Sequence, residues 1–257
     1  MQFINTHSHI YSSEFDIDRH EAIERARQVG VSHILLPDID AEQRPKLQQL
    51  VAQYPDICIP MVGLHPTSVG QNYKDELAAF DSALATTKSI CAIGEIGIDL
   101  YWDTQFFAEQ KDVFLYQMNV AQQRNLPVVI HVRNAFPQIF EILSELPNQC
   151  FRGVFHCFSG TLNDALQAIQ LGFYLGIGGV VTYKNSGLDA VLSQIDLCSI
   201  VIETDDPWLA PVPFRGKRNE PSYIQYVAKK IAEIKQCSVQ EVAQQTTRNA
   251  LDLFALS

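Results

Sequence analysis

The sequence predicts an α/β chain folded as a single (β/α)8 barrel over residues 1–257. Eight short, apolar, β-rich runs recur along the chain, amphipathic stretches separate them, and histidines and carboxylates gather where the runs end. The runs begin at residues 3, 31, 58, 90, 128, 153, 173 and 200, so successive starts fall 20 to 38 residues apart. A strand, a helix and two short loops need about that much chain. Strands alternating with helices imply parallel pairing through right-handed crossovers, and eight is the number that closes a barrel. An open doubly wound sheet is the competing fold, but no glycine-rich nucleotide fingerprint follows the first run.

The first run is Phe3–Thr6 and its helix is His20–Val29, stopped by Gly30. Val31–Leu36 follows, then a helix at Lys46–Gln53 that ends before Tyr54–Pro55. Cys58–Leu64 and Ile90–Glu95 are the third and fourth runs. The longest helix, Ala108–Arg124, carries Phe114, Met118 and Ala121 at helical spacing. Val128–His131 and Gly153–His156 come next, followed by a helix at Asn163–Gln170 before Gly172. Phe173–Ile177 and Ile200–Thr204 complete the strands. Pro221–Ile234 opens on a proline suited to a first helical turn, and Glu241–Phe254 closes the chain.

Composition narrows the class further. The residues are 47% hydrophobic and 19% charged, as in an ordinary globular protein with an ample core. No apolar run approaches the roughly 18 residues a membrane span needs. The start MQFINTHSHI has no basic segment or apolar stretch of the secretory type, so a cytoplasmic protein is expected. Cys58, Cys91, Cys150, Cys157, Cys198 and Cys237 are scattered without a CxxC, and read as buried reduced thiols. A net charge of −10 argues against clamping long duplexes through a broad basic face, but leaves room for a site that takes a strand end.

Active sites of such barrels lie at the C-terminal ends of the strands. Five of the seven histidines fall there: His7, His9, His65, His131 and His156. In His7-Ser8-His9, residues two apart face the same way on an extended strand, as a two-imidazole metal grip requires. Glu95 sits among apolar and glycine residues and must be neutralised; its two oxygens can bridge two cations. His131 and His156 each end an apolar run, where a lone histidine would more often be a core residue. Asp205 stands nearest the rim after the eighth run, as a metal ligand and proton acceptor. Glu203 shares its face one layer deeper, as an acceptor that orients a histidine or arginine. His65, Arg133 and Arg215, the last grouped with Lys217 and Arg218, are candidates for substrate contact.

The motifs THSH, GLHP, GEIGID, HVR, HCFSG, ETDDP and RGKRNEP resemble, in order and over nearly the whole chain, the TatD-type metal-dependent deoxyribonucleases of the amidohydrolase superfamily. The resemblance implies two divalent cations, with His7, His9 and Asp205 on one, His131 and His156 on the other, and Glu95 between them. It also implies hydrolysis of DNA from 3′ ends, by a water that the two ions activate. The donors suit Zn²⁺ or Mn²⁺ better than Mg²⁺, although Mg²⁺ is common in assays of the family. Many amidohydrolases bridge their metals with a carbamylated lysine; here Glu95 takes the fourth-strand position. Two positions depart from the family pattern: Asn5 stands where aspartate is usual, and Asp206 where alanine is frequent, adding negative charge near the mouth. Single-stranded DNA or a 3′ end is the expected partner, with no membrane and no obligatory protein partner. The alternatives are an esterase or amidohydrolase acting on D-aminoacyl-tRNA or a lactone, and a catalytically silent metal-binding protein.

Overall fold

A computed structural model describes residues 1–102, 104–146 and 152–256. Among the described residues, eight strands run parallel in chain order. β1 (Phe3–Asn5), β2 (Val31–Leu36) and β3 (Cys58–Pro60) form one ladder. A second runs through β4 (Ile93–Asp99), β5 (Val128–Arg133), β6 (Gly153–Phe155), β7 (Phe173–Ile177) and β8 (Ile200–Ile202). Two seams join them into a ring. Val62 bridges Ile93 in parallel, supported by Cys91 N to Pro60 O (3.1 Å) and Gly94 N to Val62 O (3.0 Å). On the far side, Thr6 N donates to Ile202 O (3.2 Å) and Asp205 N to His7 O (3.0 Å).

Side-chain alternation sorts the strands into an inner and an outer face. Ile4, Leu35, Met61, Ala92, Val129, Val154 and Val201 form one buried inner cluster. The residues two positions further along β5, β6 and β8 are His131, His156 and Glu203, so the layer above this apolar plug is polar. The opposite faces, with Ile34, Ile130 and Phe155 among them, pack against the surrounding helices.

Those helices are α1 (Arg19–Gln28), α2 (Arg44–Gln53), α3 (Tyr73–Thr86), α4 (Phe107–Arg124), α5 (Phe136–Glu145), α6 (Leu162–Gln170), α7 (Leu188–Leu192), α8 (Ile224–Lys235) and α9 (Val239–Phe254). In α4, Phe114, Met118 and Ala121 are buried, as their spacing requires. Thr161 and Asp164 close a capping box at the start of α6, and Ser238 and Glu241 do the same for α9. Ala250, Leu253 and Phe254 of α9 seal the barrel end opposite the polar layer.

Several boundaries differ from the sequence reading. Pro221–Tyr223 is a 3-10 turn, and the α-helix begins only at Ile224. α3, α5 and α7 were not anticipated. β4 does not end at Glu95 but continues to Asp99. Its pairing slips: Ile93 faces Val128 whereas Ile96 faces Ile130, three residues against two. A bulge of this kind re-aims a side chain, and here it lets Glu95 turn into the barrel. Gly97 makes the close pairing possible; its φ is +147°, and a Cβ would lie 2.0 Å from His131 O. Of the thiols, Cys58 and Cys91 are buried, but Cys157 and Cys237 are only half-buried and Cys198 is exposed, a correction to the expectation of burial throughout. Cys150 lies outside the described residues.

Candidate metal centre at the barrel mouth

Glu95 is the hub, 3% exposed, and its two oxygens serve two groups of imidazoles. Oε2 lies 3.1 Å from His7 Nε2 and 3.7 Å from His9 Nε2. Asp205 Oδ1 completes this group, 3.7 Å from His7 Nε2 and 3.6 Å from His9 Nε2, and the two imidazole nitrogens stand 3.1 Å apart. Oε1 lies 2.9 Å from His131 Nδ1, 3.0 Å from His156 Nε2 and 3.3 Å from His65 Nε2. All six residues named as ligands in the sequence reading therefore meet in one place.

The atom spacing suits a cation. Four donors at about 2.1 Å in a tetrahedron sit about 3.4 Å from one another, and the spacings of His7 Nε2 and His9 Nε2 from each other, from Glu95 Oε2 and from Asp205 Oδ1 run from 3.1 to 3.7 Å. Hydrogen bonding supports the same reading. The Tyr11 hydroxyl donates to Pro37 O (2.7 Å), so His9 Nδ1, 2.9 Å from that hydroxyl, is its donor. The His9 Nε2 lone pair is left facing Glu95 and Asp205. His156 donates from Nδ1 to Glu203 Oε1 (3.2 Å), which leaves its Nε2 facing Glu95. His131 donates from Nε2 to Asp99 Oδ2 (2.9 Å), which leaves its Nδ1 facing Glu95. His65 is the opposite case. Its Nδ1 accepts from Thr67 N (3.2 Å), so Nε2 carries the proton and presents an N–H to Glu95. Three groupings here could hold a metal ion: His7, His9 and Glu95; His7, His156 and Asp205; His65, Glu95 and His131.

Electrostatics divide the cluster. Burial lowers the pKa of His7 and His9, reinforced at His7 by His156 and at His9 by His7, so both are neutral and able to ligate. Burial opposes ionisation of Glu95, but His156, His65 and His7 hold it well below the carboxylate range. Burial also disfavours charge on His131 and His156. At His131, hydrogen bonds to Asp99 and Glu95 outweigh it, and at His156 the charges of Glu95 and Glu203 do, so both are raised. A cation binding there displaces their protons. Burial pushes Asp205 up to about 8, with His156 opposing and Glu95 and Glu203 adding to the shift.

The cluster forms the floor of a cavity of about 650 Å³, whose lining includes Trp102, Arg133 and Trp208. Three residues of its lining, Cys157, Asp205 and Leu209, adopt left-handed backbone, with φ of 45°, 54° and 52°. Glu203 is fully buried and also accepts from Cys157 N (2.5 Å). Gly176 leaves room for it, since a Cβ there would come within 2.5 Å of Glu203 Oε2. Arg133 continues the inward face of His131, with its guanidinium 3.8 Å above the Tyr101 ring.

The basic loop is arranged differently from a free patch. Arg218 is committed to Asp18 through bonds of 2.6 and 2.7 Å, and Arg215 stacks on Tyr183 at 4.5 Å, outside the cavity lining. Asp206 is a correction: it is fully buried, not at the mouth. It accepts from Ser8 Oγ (2.9 Å) and from Thr204 Oγ1. Thr204 in turn accepts from Asn5 Nδ2 (2.7 Å) and donates its N–H to Asn5 Oδ1 (3.0 Å). The two residues that depart from the family pattern thus share one buried network, which ties the end of β1 to the end of β8.

Sequence reasoning missed Asp99 and Tyr11. Tyr11 was signalled by its spacing, two residues beyond His9, but Asp99, four beyond Glu95, lay past the point where the strand was expected to end. Trp102 and Trp208 carried no pattern of their own.

A closed parallel barrel with imidazoles and carboxylates converging at the C-terminal strand ends defines a metal-dependent hydrolase of the amidohydrolase type. The chain belongs to the TatD related DNase family, whose model matches residues 4–255. It is 37% identical over 254 residues to an uncharacterized metal-dependent hydrolase, YabD, of Bacillus subtilis, covering 98% of this chain and 99% of that one. It is 32% identical over 252 residues to the 3′-5′ ssDNA/RNA exonuclease TatD of Pectobacterium carotovorum, covering 96% of each. The crystal structure of the TatD homologue YjjV from Escherichia coli superposes with a TM-score of 0.91 at 31% identity, covering 99% of this chain and 98% of that one. Among the described residues, no helix is long and apolar enough to cross a membrane.

Proposed function

We propose that this protein removes nucleotides from the 3′ end of single-stranded DNA by metal-dependent hydrolysis of the terminal phosphodiester. The observation that carries the reading is the division of labour at Glu95, whose two oxygens face separate imidazole groups. On this reading His7, His9 and Asp205 would hold one divalent ion and His131 and His156 a second, with Glu95 serving both groups. The exonuclease name carried by the Pectobacterium relative supports the choice of substrate. Four imidazoles with carboxylates favour Zn²⁺ or Mn²⁺ over Mg²⁺.

When bound, the ions supply Lewis acidity towards the phosphoryl oxygens and lower the pKa of water towards about 7. The chain does the rest. Asp205, at the rim just beyond β8, accepts the proton of the attacking water. Glu203 holds His156 in the tautomer that leaves Nε2 available, and Asp99 does the same for Nδ1 of His131. Arg133 offers a guanidinium to the phosphate from the cavity wall, while the His65 N–H holds Glu95 in place. Arg215 adds positive potential from outside the cavity.

Replacing Asp205 by Asn tests the assignment. kcat on a single-stranded oligonucleotide is expected to fall by about 10²–10⁴-fold, with thermal unfolding unchanged. Turnover close to wild type would remove Asp205 from the chemistry. A metal-loaded wild type that cleaves lactones or aminoacyl esters but spares DNA would move the same site to ester hydrolysis.

A further inference from the structure

Two indoles stand exposed where a globular protein would ordinarily bury them. Trp102, 68% exposed, follows β4, and Trp208, 46% exposed, follows β8. Strands four apart in an eight-stranded ring lie across the barrel from one another, and both indoles line the same cavity. Each is held at its backbone. Trp102 N donates to Asp99 Oδ1 (3.1 Å), on the carboxylate that also holds His131. Trp208 N donates to Asp205 O (3.1 Å), and its carbonyl accepts from Asn219 Nδ2 (2.8 Å). The Trp208 ring lies edge-on to His9, with centroids 5.1 Å apart. The two platforms are thus fixed to the turns that carry the metal cluster. Arg133 reaches towards one of them, 5.2 Å from the Trp102 ring, and makes no ion pair among the described residues.

We infer that Trp102 and Trp208 are stacking faces for the unpaired bases at the strand end, with Arg133 set against the intervening phosphate. The inference rests on the phosphodiester reading above and specifies how that site recognises its substrate. Aromatic faces accept any base, because every base has a π-face, and they serve only bases that have left a duplex stack. The net charge of −10 makes the same point from the other side. A protein with this net negative charge is poorly suited to neutralising many phosphates, so uncharged contacts should supply much of the binding energy, and binding should depend weakly on salt.

The test compares kcat/KM of the metal-loaded enzyme on two single-stranded oligonucleotides, one natural and one with abasic residues in the last two 3′ positions. Wild type is expected to prefer the natural end by about 5- to 150-fold for each stacked base, mainly through KM. In Trp102→Ala and Trp208→Ala the preference falls towards one, and Trp→Phe at either position restores part of it. Equal cleavage of both ends by wild type, or an unchanged preference in both alanine variants, overturns the stacking role while leaving the nuclease reading intact. A wild type that is metal-loaded and cleaves neither oligonucleotide overturns the phosphodiester reading, and the stacking role with it.

Discussion

His131 sits between two carboxylates, Glu95 at 2.9 Å from Nδ1 and Asp99 at 2.9 Å from Nε2. Asp99 is itself held firmly. Its Oδ1 accepts from Tyr101 N (2.9 Å) and Trp102 N (3.1 Å), and Gln110 bonds both its N–H and its carbonyl. A carboxylate fixed in this way orients the imidazole and strengthens it as a ligand. Asp99→Asn should therefore weaken binding of a metal ion at His131 by about 10–100-fold, measured by competition with a chelator, while binding at His7 and His9 changes little. Equal affinity in the variant would leave Asp99 with a purely structural role in its turn. The convergence of His7, His9, Glu95, His131, His156 and Asp205 was legible in the sequence because strand periodicity and barrel topology together dictate where such side chains point. Asp99 was not, because the bulge that carries β4 past Glu95 leaves no mark in the hydropathy pattern. Asp206 was misplaced for a related reason: proximity to Asp205 in sequence says nothing about the buried network with Thr204, Ser8 and Asn5 into which it turns.

Among the elements, the loop between β8 and α8 is latched to α1. Arg218 and Arg25 both bond Asp18, and Arg25 also holds Glu220 at 2.6 Å. Hydrogen bonds from Arg218 and then Arg25 outweigh burial and lower the pKa of Asp18 to about 2. A depressed acid stabilises the fold above its unfolded value, near 3.8, and that contribution is lost as pH falls through its folded value. Between pH 5 and 2, wild type should lose roughly 1 kcal/mol from this site after solvent screening, and Asp18→Asn should lack that part of the decline in urea unfolding. Parallel curves for the two proteins would contradict it. At the opposite end of the barrel, Phe254 of α9 is 3% exposed against Val129, Val154 and their neighbours. Phe254→Ala should cost about 3–5 kcal/mol, read as a drop in urea midpoint without loss of metal. A shift under about 1 kcal/mol would mean that α9 does not close the core. The strands were easier to locate from sequence than the helices. Apolar runs mark strands buried on both faces, whereas α5 carries an amphipathic period that the sequence reading passed over, and α7 spans only Leu188–Leu192.

The whole molecule separates stability from chemistry along the barrel axis: an apolar plug closed by α9 at one end, polar ligands at the other. Its net charge of −10 is unsuited to a broad nucleic-acid surface, and on the proposed function cations held in the cavity would reverse the sign there. The ring of eight strands was legible as a whole because its repeat length is set by strand, helix and loop, not by any single residue. The most direct measurement is shortening of a 5′-labelled single-stranded oligonucleotide by metal-stripped protein, before and after addition of Mn²⁺, Zn²⁺ or Mg²⁺, with Glu95→Gln alongside. Shortening from the 3′ end that appears only with metal, and that Glu95→Gln cannot recover at any metal concentration, is the predicted result. An intact oligonucleotide with metal-saturated wild type, or full metal-restored activity in Glu95→Gln, would contradict a phosphodiesterase built on Glu95.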